Sequence, residues 1–143
     1  MDEAKTETDT RTGGCDCGAL RYNTTGPARV SGQCHCKPCQ HLAGGGVHYF
    51  QLVDPDGFEW TSGTPASFAR LDIENAGTRS FCPTCGTQIV TQRADQRALV
   101  LKIGSLDDTS DFSPEVALCH AQAQAFHHVP EGVQVFDAFP PRR

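Results

Sequence analysis

The chain has 143 residues, with 12 Lys and Arg against 17 Asp and Glu for a formal charge of −5, which fits one domain and leaves no room for a second full one. Its basic residues are scattered, none in a cluster larger than Arg142-Arg143, so the electrostatic footprint of a nucleic-acid binder is missing. No run approaches the roughly 18 apolar residues of a membrane span, and Met1 to Glu7 is too polar for a signal peptide, so a cytoplasmic protein is expected.

Residues 1–12 alternate acids and threonines with almost nothing apolar; a disordered acidic tail is expected there, followed by one domain over residues 13–143. Short runs at 18–23, 47–53, 67–71, 87–91, 98–103 and 114–119, cut by Gly, Pro, Asn and Asp, read as strands. No window of a dozen residues carries an apolar stripe of helical period. Residues 37–43 and 120–128 can each make one helical turn, and residues 130–143 read as an irregular end. The expected fold class is mainly β. With only 38% hydrophobic residues and 14 glycines, the core needs a second source of stability.

Eight cysteines supply a candidate. In a reducing compartment they would not persist as disulfides, and grouped thiols there are best explained as metal ligands. They fall as Cys15 and Cys17, then Cys34, Cys36 and Cys39, then Cys82 and Cys85, with Cys119 alone. The one-residue gap between Cys15 and Cys17, placed on a strand, turns both sulfurs to one face. In Cys82-Pro-Thr-Cys85-Gly86, Pro83 fixes φ after the first thiol and Gly86 permits a left-handed turn after the second, which is the zinc knuckle pattern. A redox Cys-x-x-Cys would open a helix, whereas the following Thr87 to Thr91 is strand-like. Cys34-His-Cys-Lys-Pro-Cys39 offers three thiols and no fourth beside them.

Seven clustered cysteines divide into four plus three. Cys15, Cys17, Cys82 and Cys85 make a closed tetrahedral site; Cys34, Cys36 and Cys39 make one that is open, or closed by His35, His41, His48 or Cys119. A rival division pairs Cys36 and Cys39 with Cys82 and Cys85 as a zinc ribbon, and strands the other three.

Taken together, Gly13 to Tyr22, Cys34 to Cys39 and Phe81 to Thr87 resemble the glutathione-dependent formaldehyde-activating enzyme (GFA) family, the CENP-V/GFA domain, over about residues 12–120. The resemblance implies an Mss4-like fold of small packed antiparallel sheets. It implies a structural zinc on Cys15, Cys17, Cys82 and Cys85, and a second zinc on Cys34, Cys36 and Cys39. The implied reaction is addition of the glutathione thiolate to formaldehyde, giving S-hydroxymethylglutathione, or its reversal, a carbon–sulfur lyase reaction. The chain departs from the family after Cys39, where Gln40 to Gly46 replaces a basic residue and a Ser/Gly turn, and around Pro114 to Phe136.

Glutathione carries two carboxylates, so cationic side chains should line its pocket; Lys37 is nearest in sequence, and is equally a solvated turn lysine. His48 is a candidate acid or base and equally a core histidine, whereas His35 should face away from Cys34 and Cys36, and His127 and His128 should be exposed. Gly44 to Gly46 is either a ligand-approach rim or a plain loop, and Trp60 belongs to the core. Cys119 occupies the place of the reactive cysteine in methionine-R-sulfoxide reductases, which share an Mss4-like fold, but its apolar neighbours make it a small buried hydrophobe. A non-catalytic zinc-binding interaction module is the remaining alternative.

Overall fold

The computed structural model describes residues 9–140. Strands β1 (Thr10–Gly14) and β2 (Arg21–Thr25) form a hairpin. Strand β5 (Phe58–Ser62) joins β2 to complete a three-stranded antiparallel sheet. The remaining strands are β3 (Val30–Cys34), β4 (His48–Val53), β6 (Ala66–Phe68), β7 (Thr78–Phe81), β8 (Gln88–Gln92), β9 (Leu99–Lys102), β10 (Val116–Leu118) and β11 (Gln134–Val135). They build one eight-stranded sheet in the order β11-β10-β3-β4-β9-β8-β7-β6. A single six-residue helix, α1 (Lys37–Leu42), follows β3 among the described residues. The fold is mainly β, as expected, but the large sheet is mixed: β10 runs parallel to both β3 and β11. None of the described helices is long and apolar enough to cross a membrane.

Strand alternation gives the large sheet two different faces. Leu99 and Leu101 of β9 point into a core with Leu20 and Tyr22 near the hairpin, Val53, Ile89, Val90, Ile103 and Leu106, with Phe58 and Trp60 packed against it. Tyr22 stacks on Phe58 at 5.0 Å and meets Trp60 edge-on at 6.3 Å. The intervening Val100 and, on β4, Phe50 and Leu52 point the other way, into a smaller cluster with Cys34, Cys119 and Leu118. Gly32 lets β3, β4 and β10 close up on that side. A Cβ there would stand 2.8 Å from the Phe50 ring and 2.9 Å from Val116.

Several local expectations change. Strand β1 starts at Thr10, inside the stretch expected as a tail, because it pairs with β2 along its whole length from Thr10↔Thr25 to Gly14↔Arg21. Backbone pairing does not need apolar side chains. Residues 1–8 lie outside the described residues. Strand β7 has a polar, half-buried sequence with no clean alternation and was not expected; β5 was not expected either, although Phe58 and Trp60 alternate with the exposed Glu59 and Thr61. The run at 67–71 is a strand only as far as Phe68. Cys15 and Cys17 sit in the β1–β2 turn rather than on a strand: the Gly18 N–H donates to the Cys15 carbonyl at 3.1 Å and closes that turn.

The two sheets are also tied by polar contacts. The Tyr22 hydroxyl, fully buried, donates to Ser105 Oγ at 2.7 Å, and Ser105 Oγ donates to the Lys102 carbonyl at 2.7 Å. Burial pushes the Tyr22 phenol up to about 12, so it stays a donor at neutral pH. Arg21 forks onto Asp107, which also accepts from Thr12 at 2.6 Å. Tyr22→Phe removes one buried hydrogen bond and is expected to cost about 1 kcal/mol, lowering the melting temperature by about 3 °C. Thermal unfolding of the variant checks this, and an unchanged midpoint would remove the hydroxyl from the link between the sheets.

Two candidate metal centres and an adjoining cleft

The β1–β2 turn brings Cys15 and Cys17, and the β7–β8 turn brings Cys82 and Cys85; the four sulfurs lie within 4.8 Å of one another. Cys15 Sγ is 3.6 Å from Cys17 Sγ, which is 3.7 Å from Cys82 Sγ. A tetrahedron with metal–sulfur bonds of about 2.3 Å has edges of about 3.8 Å, so the spacing suits one ion of that size. Backbone amides are already aimed at the sulfurs. Leu20 N–H donates to Cys15 Sγ at 3.2 Å, while Thr84 and Cys85 N–H donate to Cys82 Sγ at 3.3 and 3.4 Å. Gly86, at φ +81°, turns the chain so that its N–H reaches the Cys82 carbonyl at 2.9 Å. Hydrogen bonding, from the Thr87 side chain first, pulls the Cys85 thiol down to about 5, and the Leu20 amide is the main cause lowering Cys15.

The second group is local. Cys34 ends β3, Cys36 is the N-cap of α1 and accepts from Cys39 N–H at 3.4 Å, and Cys39 lies one turn into the helix. Their sulfurs also lie within 4.8 Å of one another. As bare thiols the three cannot all ionise. Hydrogen bonds from Cys34 first, then Cys39, pull Cys36 down to about 2, and the same contact with Cys36 pushes Cys34 up. A divalent cation is the group that removes this conflict, so the donor set fits a metal.

Pairing across the sheet completes the surroundings. Cys34 is registered with His48 on β4, and Phe50 with Lys102 on β9, so His48 and Lys102 share the face of the thiols. His48 Nδ1 is 3.4 Å from Cys39 Sγ. Burial, then Lys102, pushes the His48 imidazole down to about 3, which keeps it neutral. Lys102 is 8% exposed, and no carboxylate pairs with it among the described residues. Burial lowers its ammonium to about 8, against an upward pull from Cys39. His48 and Lys102 line a cleft of about 440 Å³ with Leu42, Tyr49, Thr87 and Gln88.

Of the other candidate residues, His35 faces away from the thiols, as expected. It is fully buried, accepts from Gln33 Nε2 at 3.1 Å and meets His127 through the two Nδ1 atoms at 3.0 Å. His127 is therefore not exposed as expected; its Nε2–H donates to the Gly45 carbonyl at 3.0 Å, while His128 is exposed. This chain of bonds fixes both tautomers: Nδ1–H on His35 and Nε2–H on His127. The glycine run after α1 is a helix stop, with Gly45 N–H on the Gln40 carbonyl at 2.6 Å. His41 and Lys37 are exposed. Cys119 is buried against Cys34 and Phe50, and burial raises its thiol, the opposite of what a reactive nucleophile needs. Lys102 was not singled out from the sequence, although a lysine inside the apolar run 98–103 was a visible signal.

Among solved structures, one of a Rhodobacter sphaeroides protein matches with a TM-score of 0.57 at 17% sequence identity, covering 70% of this chain and 91% of that one. That likeness is one of fold. No curated protein matches the chain. The family model described as glutathione-dependent formaldehyde-activating enzyme matches residues 10–122, a span that holds both cysteine groups, His48 and Lys102. The chain belongs to the glutathione-dependent formaldehyde-activating enzyme family.

Proposed function

We propose that the protein is a zinc-dependent carbon–sulfur lyase that joins glutathione, or a related small thiol, to formaldehyde as the S-hydroxymethyl adduct, or runs that reaction in reverse. The observation that carries this reading is the three-thiol group of Cys34, Cys36 and Cys39 beside a cleft lined by a neutral His48 and an unpaired Lys102. Three protein ligands leave a coordination position for a substrate, whereas four close it. Zinc on Cys34, Cys36 and Cys39 would supply a Lewis acid that holds a substrate thiol deprotonated near neutral pH. Zinc on Cys15, Cys17, Cys82 and Cys85 is structural in this reading.

The chain's own groups do the rest. In the forward direction a sulfur–carbon bond forms, the carbonyl π pair moves to oxygen, and the proton lost by the thiol ends on that oxygen. Lys102, on β9 and lining the cleft, would hydrogen-bond the aldehyde oxygen as charge grows there. His48 packs against Cys39 and, being neutral, adds no competing positive charge beside the thiol. Holding both reactants in one cleft replaces a bimolecular encounter.

Two experiments test this reading. Elemental analysis of the purified protein is expected to give about two zinc per chain, and NMR exchange spectroscopy to show the adduct forming faster with protein than without. A protein that binds no thiol and leaves the spontaneous rate unchanged would instead be a binding module. The second experiment separates the sites. Cys15→Ser and Cys82→Ser break a site that joins the two sheets, and structural zinc is worth on the order of 10 kcal/mol of folding free energy in small zinc domains, so both variants should aggregate or melt early. Cys39→Ser breaks a site whose ligands lie within residues 34–39; its melting should move little while one zinc and the thiol chemistry disappear. Equal loss of stability in all three variants would overturn the division of roles.

A further inference from the structure

A second cavity, of about 400 Å³, is lined by Lys37, Pro38 and His41 of α1, Phe68 of β6, Arg70, and Arg79 of β7. Lys37 and Pro38 are the two residues between Cys36 and Cys39, so one wall of the cavity is the thiol-bearing segment itself. The opposite wall faces the same way as the thiols. Arg79 is registered with Phe68 on one side and Thr91 on the other, Thr91 with Val100, and Val100 packs in the cluster around Cys34.

The cations of this cavity are not equivalent. Arg70 is forked onto Asp72 by bonds of 2.9 and 2.6 Å, so its charge is already matched. Arg79 has its guanidinium carbon 5.9 Å from the centroid of the Phe68 ring and pairs with no carboxylate among the described residues. The exposed Lys37 brings a second unmatched cation from across the cavity. A guanidinium placed over an aromatic ring, with no carboxylate partner among the described residues, is a ready partner for a planar carboxylate.

We propose that Arg79, assisted by Lys37, grips a carboxylate of the thiol substrate. The proposal rests on the thiol-lyase reading above and deepens it: the sulfur goes to the three-cysteine group while a carboxylate of the same molecule is held at the far side of α1. Arg79 is a specificity residue here, with no part in bond making.

Isothermal titration of the zinc-loaded protein tests it with four probes: glutathione, its diethyl ester, 2-mercaptoethanol and S-methylglutathione. The wild type should bind glutathione at least about tenfold more tightly than the diester, the worth of one charge-assisted bond. Arg79→Gln should abolish that preference, leave the diester and 2-mercaptoethanol within about twofold of wild type, and remove binding of S-methylglutathione, which keeps both carboxylates but has no free thiol. Arg79→Lys should restore part of the preference, and Lys37→Gln, an exposed change that cannot unfold the chain, should weaken it several-fold. Melting temperatures confirm that each variant is folded. Thiols that bind with no regard to their carboxylates would overturn the subsite and leave the lyase reading standing. S-methylglutathione binding that depends on Arg79, with no gain from a free thiol, would overturn the lyase reading and keep the subsite.

Discussion

Neighbouring thiolates repel, and that repulsion is the constraint around which the molecule is arranged. Sulfurs 3.6 and 3.7 Å apart, as among Cys15, Cys17 and Cys82, can be ionised together only around a cation. The fold places this group where the hairpin turn of the small sheet meets the β7–β8 turn of the large one. An ion held there would make its binding and the alignment of the two sheets one equilibrium, a source of stability beyond the core for a chain of only 38% hydrophobic residues.

Strand β9 connects this scaffold to the chemistry. Its Leu99 and Leu101 fill the core beneath the small sheet, while Val100 and Lys102 emerge on the opposite face beside Cys34 and Phe50. The Lys102 backbone carbonyl accepts from Ser105, which accepts in turn from Tyr22. A cation that would otherwise seek water is thus held at 8% exposure by a strand anchored from behind. The position of its charge is set by Leu99 and Leu101, packed into the core on the opposite face of the same strand.

The legible parts of this structure are those whose determinants lie close together in sequence. Ligand spacing is local, so the two cysteine groups and the turn after Cys82 could be read directly, and α1 was expected because Pro38 and the short Cys36-to-Cys39 gap demand a turn. Family membership followed from the same residues. Lys102 and Arg79 acquire meaning only from strand register: Lys102 from its pairing with Phe50, Arg79 from its pairing with Phe68 and Thr91. Nothing within either segment states which face α1 will cover. His127 was misjudged for a related reason, since its partner His35 is 92 residues away. The turn location of Cys15 and Cys17 was missed because one-residue spacing fits a strand as well as a tight turn.

The clamp over α1 bears on the order of assembly. Gln40 Nε2 donates to the Gln122 carbonyl at 2.9 Å, Gln124 Nε2 donates to Gln40 Oε1 at 3.1 Å, and the Lys37 N–H donates to Gln122 Oε1 at 2.9 Å. These bonds span 82 to 85 residues, so each requires a large loop to close, whereas Cys34, Cys36 and Cys39 need only a six-residue segment to bend. The ligand segment can collect an ion before residues 122–124 exist, and the glutamine clamp can engage only after they have been synthesised. A ribosome-tethered fragment ending before β10 would then already carry all three thiols, with its helix uncovered.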